Sequence, residues 1–211
     1  LFEFTFESAA NAYVVLYTKE CSAYKYENGR VYLTGSQNGG REAYISAMFD
    51  VSDAAAVTEY DVMTPNGYKP EIEEKTKAIL IKFEKKTVAL PFVLSALDFE
   101  SLDVCYEKEA KGKDYNAILA ECKAAWNKVL GKIRVEGGDE ARKRVFYTAV
   151  YRATSRMHNY SVNGKYFGFD KKMHDDEGHA YYCDDGIWDT FRGMHPLQLI
   201  LEPEVHRDTI E

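Results

Sequence analysis

The densest concentration of groups able to do chemistry lies in residues 160–203, YSVNGKYFGFDKKMHDDEGHAYYCDDGIWDTFRGMHPLQLILEP, with aromatics, carboxylates and three of the five histidines. Within it, Trp188-Asp189-Thr190-Phe191-Arg192 combines three groups suited to a sugar. An indole face stacks on the apolar side of the ring, and a carboxylate accepts from two vicinal hydroxyls. A guanidinium one helical turn later can hold that carboxylate in place. A purely structural account fits the same residues: Asp189 caps a helix, Trp188 packs inside and Arg192 is a surface partner.

Other clusters are weaker. His174-Asp175-Asp176-Glu177-Gly178-His179 lacks the alternation and distant Glu of a calcium loop, and two histidines without a third ligand make a poor zinc site. A solvated acidic loop is the better expectation. Asp184 and Asp185 point opposite ways in an extended segment and read as loop charge. No GxxxxGK, GxGxxG or GxSxG pattern occurs, which removes the common phosphate-binding loops and the nucleophile elbow.

The whole chain, 211 residues with Lys+Arg 27 against Asp+Glu 34, carries a net charge of −7. An acidic chain without a basic run argues against nucleic acid and anionic membrane surfaces as partners. No apolar stretch approaches the roughly 18 residues of a membrane-spanning helix. There is no basic-then-apolar leader at the start. Leu1 already falls inside a strand pattern, so a processed or excised product is expected. Cys21, Cys105, Cys122 and Cys183 form no CxxC pair, which excludes a zinc ribbon and leaves the compartment open. The count of 16 tyrosines suits sugar recognition and exposed sheet equally.

The first half must supply strands. Residues 1–7, LFEFTFE, alternate apolar with polar, and further runs fall at 12–17, 43–51, 78–83 and 88–97. Asn28-Gly29 between residues 24–26 and 31–33 predicts a type I′ hairpin, because both central residues accept positive φ. Asn38-Gly39-Gly40 and Asn66-Gly67 mark further turns. Short strands so punctuated predict an antiparallel β-sandwich. The second half changes period. Over residues 114–133 the apolar side chains Tyr115, Ile118, Leu119, Cys122, Trp126, Val129, Leu130 and Ile133 form one stripe of an amphipathic helix. Asp139 is the expected N-cap of a helix to about Arg156, with Val145, Phe146, Ala149, Val150 and Ala153 on one face. Residues 157–185 read as irregular, with a turn at Asn163-Gly164. A helix is expected from near Trp188 to Pro203, and another opens at Pro203. Such helices have apolar faces with few partners, so they either pack on the sandwich or belong to something longer.

From about residue 90 to 211 the sequence resembles family 92 of the glycoside hydrolases, the calcium-dependent, inverting exo-α-mannosidases. Four ordered blocks carry the resemblance: AAWNKVLGKIRVEGG from Ala124, FYTAVYRA from Phe146, SVNGKYFGFD from Ser161 and YYCDDGIWDTFRGMHPL from Tyr181. Lys171 and Asp184-Asp185-Gly186 depart from the family's usual residues at those places and bear on fine substrate preference.

The resemblance implies an α+β multidomain chain. Its parts are the later portion of an N-terminal antiparallel β-sandwich (residues 1–104), a linking helix (105–137) and the first helices of an (α/α)6 barrel (138–211). It implies that Trp188 and Asp189 line the pocket for a terminal mannose, supported by Arg192 and His195, with Phe169 and Asp170 a second contribution. The general acid, the base carboxylates and most calcium ligands are expected beyond Glu211, so no catalytic residue is assigned within these residues. The implied reaction is hydrolysis of terminal α-linked mannose, α-1,2 first among linkages, by an enzyme that is secreted, periplasmic or on a bacterial cell surface. Two other readings compete: a non-catalytic carbohydrate-binding or interaction module, and an unrelated helical-barrel glycosidase of trehalase-like type.

Overall fold

Asn28 and Gly29 have φ of 52° and 72°, the left-handed pair that a two-residue hairpin requires, and Glu27 pairs with Arg30 across them. The computed structural model in which they are seen describes residues 1–17, 21–36, 44–65, 73–155, 158–170, 172–183 and 190–210. Among the described residues the fold is α+β, with antiparallel sheets and five α-helices. The chain divides into two compact units, Leu1–Ile118 and Leu119–Glu211.

The first unit holds β1 (Phe2–Thr5), β2 (Ala12–Tyr17), β3 (Cys21–Glu27), β4 (Arg30–Ser36), β5 (Tyr44–Asp50), β6 (Ala56–Pro65), β7 (Glu73–Phe83), β8 (Thr87–Leu90) and β9 (Phe92–Ser95). They form sheets of order β2-β7-β6, β3-β4-β5-β9 and β1-β8. Alternation sends Ala12, Ile79, Ile81 and Phe83 from one sheet, Val31 and Leu33 from another, and Val88 and Leu90 from the third into one core with Val51. The three antiparallel sheets thus share one interior, filled by the apolar positions of the alternating pattern.

The expected strand over residues 88–97 is two strands. Pro91 has no N–H to donate, so the ladder breaks there, and the chain leaves its pairing with β1 to pair with β5. After β9 comes α1 (Phe99–Glu109), a helix not expected from the sequence, which begins at an Asp98 cap whose side chain accepts from the Ser101 N–H. The buried residues Leu102, Cys105 and Tyr106 of α1 fall at helical spacing. Asp103 Oδ1 accepts from Arg30 Nη1 at 2.6 Å and from Tyr32 Oη at 2.7 Å, which ties the helix to β4. Tyr106 donates its hydroxyl to Asp50, and burial together with that carboxylate pushes the phenol up to about 12. The turns expected at Asn38-Gly39-Gly40 and Asn66-Gly67 lie outside the described residues.

The amphipathic helix of residues 114–133 is α2 (Tyr115–Leu130), and Asp139 caps α3 (Glu140–Thr154) by accepting from the Arg142 N–H. In the second unit Trp126 of α2 meets Tyr151 of α3, ring centroids 4.5 Å apart. The Tyr147 hydroxyl donates to the Ile133 carbonyl at 2.9 Å, closing the link between these helices. Of the apolar face expected on α3 only Val150 is buried, and Val145 is 71% exposed. The segment expected to be irregular contains two small antiparallel pairs. They are β10 (His158–Asn159) with β13 (Tyr182–Cys183), and β11 (Lys165–Phe167) with β12 (Met173–Asp175). The last helices are α4 (Met194–Leu201), which starts later than expected after a 3₁₀ turn at Thr190–Arg192, and α5 (Pro203–Ile210).

Candidate functional site

Asn163 and Gly164, with φ of 52° and 79°, turn the chain tightly enough for Val162 and Lys165 to exchange both backbone hydrogen bonds. β11 follows that turn and pairs with β12, which puts Tyr166 opposite His174. The rings of that pair stack at 5.2 Å with 21° between planes, and Tyr166 stacks in turn on Tyr181 at 4.1 Å and 12°. Offset stacking of this kind fixes ring orientation better than apolar contact alone. Tyr181 also accepts at its carbonyl from the Tyr160 N–H, so the β11–β12 hairpin is braced from the neighbouring strand pair. The stretch expected to be a solvated acidic loop is thus in part an ordered strand, β12.

The loop joining β11 to β12 carries Phe169 and Asp170. Phe169 is 75% exposed. Asp170 Oδ1 lies 2.9 Å from His174 Nε2 and accepts from the Lys172 N–H at 3.2 Å. The hydrogen bond to His174 is the chief reason that the Asp170 carboxyl is held below the ordinary carboxylate range. Gly168 makes the approach possible: a Cβ there would stand 2.8 Å from Asp170 Oδ1 and 3.0 Å from the His174 ring.

His195 lies at the start of α4. Its Nε2 is 2.9 Å from Thr190 Oγ1, and its ring centroid is 5.8 Å from that of His206 on α5. His206 Nδ1 is buried without a hydrogen-bond partner among the described residues. The Arg192 guanidinium sits over the Phe191 ring at 5.4 Å. The structure therefore groups Phe169 and Asp170 on one hairpin loop, and Arg192 and His195 on the entry to α4. Trp188 and Asp189 lie outside the described residues.

Two further features went unanticipated in the sequence. Asp208 on α5 accepts from the Ala180 N–H at 3.2 Å, and His179 Nδ1 lies 3.4 Å from it, which anchors the segment before β13. Arg207 at 2.9 Å is the chief cause that keeps the Asp208 carboxyl below its usual range. A cavity of about 290 Å³ is lined by Trp126, Val129, Thr154, Gln198, Glu202 and Val205. Gln198 Nε2 donates to the Ala153 carbonyl at 3.3 Å. Its Oε1 is buried and unpartnered among the described residues. The Asn163-Gly164 turn was legible in the sequence, but the Tyr166–His174 pair is set by the loop after β11, closed where the Gly168 N–H donates to the Lys172 carbonyl. The Tyr181 and Asp208 contacts join residues with no local pattern to announce them.

The sequence profile described as "Glycosyl hydrolase family 92 catalytic domain" matches residues 104–211. The fold matches a family GH92 alpha-mannosidase from Bacteroides thetaiotaomicron with a TM-score of 0.82 at 22% identity, covering 98% of this chain and 30% of that one. A family GH92 inverting mannosidase from Bacteroides thetaiotaomicron VPI-5482 matches with a TM-score of 0.67 at 22% identity, over 88% of this chain and 27% of that one. The GH92 family glycosyl hydrolase ccman5 matches with a TM-score of 0.73 at 20% identity, over 99% of this chain and 30% of that one. At such identities the likeness is one of fold, and the chain spans less than a third of the length of these structures. A comparison with curated protein sequences finds no match.

Proposed function

Because the chain belongs to glycoside hydrolase family 92, we propose that it forms part of an enzyme that removes terminal α-linked mannose from glycans, with α-1,2 linkages first among its substrates. The observation that carries this reading is the family match over residues 104–211, which contains both the hairpin loop and the entry to α4. The fold match to an inverting mannosidase supports inversion as the stereochemical course. In that chemistry one carboxylic acid protonates the leaving oxygen and a carboxylate activates water on the opposite face, roughly 6.5–9.5 Å away. The acid and the base lie, on this reading, in the part of the enzyme beyond these residues.

What this chain contributes is a wall of the sugar site. Phe169 offers an exposed aromatic face, and Arg192 offers a guanidinium whose donors fit vicinal hydroxyls. His195, oriented by Thr190, supports the turn that carries Arg192. Trp188 and Asp189 complete the wall, stacking on and accepting from the terminal mannose. In the same proposal, α3, α4 and α5 are the first helices of an (α/α)6 barrel. The exposure of Val145, Leu199, Ile200 and Ile210 supports it, since faces of this kind are ordinarily covered.

Calcium enters as a proposed cofactor of the whole enzyme. Among the described residues no group of three or more His, Cys, Asp or Glu is gathered to hold a metal ion. The ligands are assigned mostly outside this chain, and no step here runs through the metal. An exported location, in the periplasm, at the cell surface or secreted, completes the reading. The test is mannose release from α-1,2-mannobiose by the full-length protein, with and without a calcium chelator. Turnover abolished by the chelator and restored by calcium is the expected result. Turnover on α-glucosides alone, indifferent to the chelator, would overturn it.

A further inference from the structure

Asp170 is engaged inside the hairpin rather than turned wholly to a ligand. Its Oδ1 serves both His174 Nε2 and the Lys172 N–H. An ionised carboxylate only accepts, so Nε2 carries a proton, and in the neutral form of the ring Nδ1 is left as an acceptor. His174 Nδ1 makes no hydrogen bond among the described residues, and the side chain is 39% exposed. The ring is held by Asp170 at one edge and by the Tyr166 face, itself backed by Tyr181. Gly168 gives the space in which that arrangement fits. On the same loop, Phe169 presents a largely uncovered ring.

We infer that His174 is a glycan-binding residue whose Nδ1 accepts a sugar hydroxyl, that Phe169 stacks on the same sugar, and that Asp170 is a positioning residue acting through His174. The inference rests on the reading of this segment as part of a mannoside site, and deepens it. Asp170 then does not contact the sugar itself, in contrast to the expectation from the sequence.

The test is a double-mutant cycle on the Kd of methyl α-mannoside, measured by calorimetry on the full-length protein. His174→Ala and Asp170→Ala are each expected to weaken binding about tenfold, the scale of one well-placed hydrogen bond. The double variant should weaken it no further, and Asp170→Asn, which still accepts from Nε2–H, should recover most of the affinity. His174→Lys keeps a donor for Asp170 but has no acceptor, and should bind as weakly as His174→Ala. It serves if the alanine variant fails to fold. Additive losses near a hundredfold, or variants at wild-type affinity, overturn the inference, as does absence of binding to the wild-type protein. Binding without mannose release would instead sink the mannosidase reading and leave this one standing.

Discussion

Tyr166 stands directly opposite His174 across the β11–β12 pair, and the two rings stack while Tyr166 presses its other partner, Tyr181. A hairpin of three residues a side is too short to be stable alone. The stack on Tyr181 links it to the segment before β13. Tyr166→Ala should therefore loosen the loop locally without melting the unit. The expected result is faster amide exchange at Gly168 and Lys172, with the global melting midpoint moved by only a few degrees. Unchanged exchange at those amides would contradict the role given to the stack.

Gly168 leads to a separate prediction. A methyl group at this position collides with Asp170 Oδ1 and the His174 ring, both ends of movable side chains, so they give way rather than the backbone. Gly168→Ala should weaken methyl α-mannoside binding severalfold while the melting temperature stays within about 2 °C of wild type. A loss of stability with affinity intact would place the constraint in the backbone instead.

The Asp170 carboxyl, depressed chiefly by its hydrogen bond to His174, gives a pH prediction with a definite sign. A depressed carboxylate stabilises the folded hairpin above its ordinary pKa, and that contribution is lost as pH falls through the depressed value. In His174→Asn the Asp170 titration, followed by carboxyl carbon NMR, should move upward toward the ordinary range. A titration that stays in place would mean that Lys172 and not His174 sets it.

In the first unit, Tyr106 and Asp50 make the corresponding test of the contact between α1 and β5. With the phenol raised to about 12 by burial and by Asp50, Tyr106 should remain protonated at a pH where exposed tyrosines have ionised, which ultraviolet titration reads directly. Tyr106→Phe should cost about 1.5–3 kcal/mol, the range for a hydrogen bond to a charged group. Ile81→Ala, at a fully buried position, should cost about 2–5 kcal/mol. A cost for Tyr106→Phe equal to that of an exposed substitution would remove α1 from the account of what steadies β4 and β5.

Much of this organisation was legible in the residues because it rests on local constraints. Asn28-Gly29 and Asn163-Gly164 demanded positive φ and received it. Asp139 and Pro203 marked helix starts where α3 and α5 begin. What escaped depended on partners far away in sequence. The Pro91 break is a change of neighbouring strand, from β1 to β5. The helix α1 carries only a narrow buried stripe amid charges, so its Asp98 cap was the better sign than its apolar pattern. For the candidate site, Phe169 and Asp170 could be named from the sequence, but the hydrogen bond between Asp170 and His174 crosses a loop and had no local signal. Trp188 and Asp189 lie outside the described residues, so their place in the site stays part of the proposal.

The measurement that reaches the central claim most directly is proton NMR of mannose at the moment of its release from an α-1,2-linked mannoside by the full-length protein. Inversion at an α-linked anomeric centre predicts β-mannose first, with the α-anomer growing in only as the free sugar equilibrates. First-formed α-mannose would contradict the inverting course, and no mannose at all would contradict the assignment of mannosidase activity.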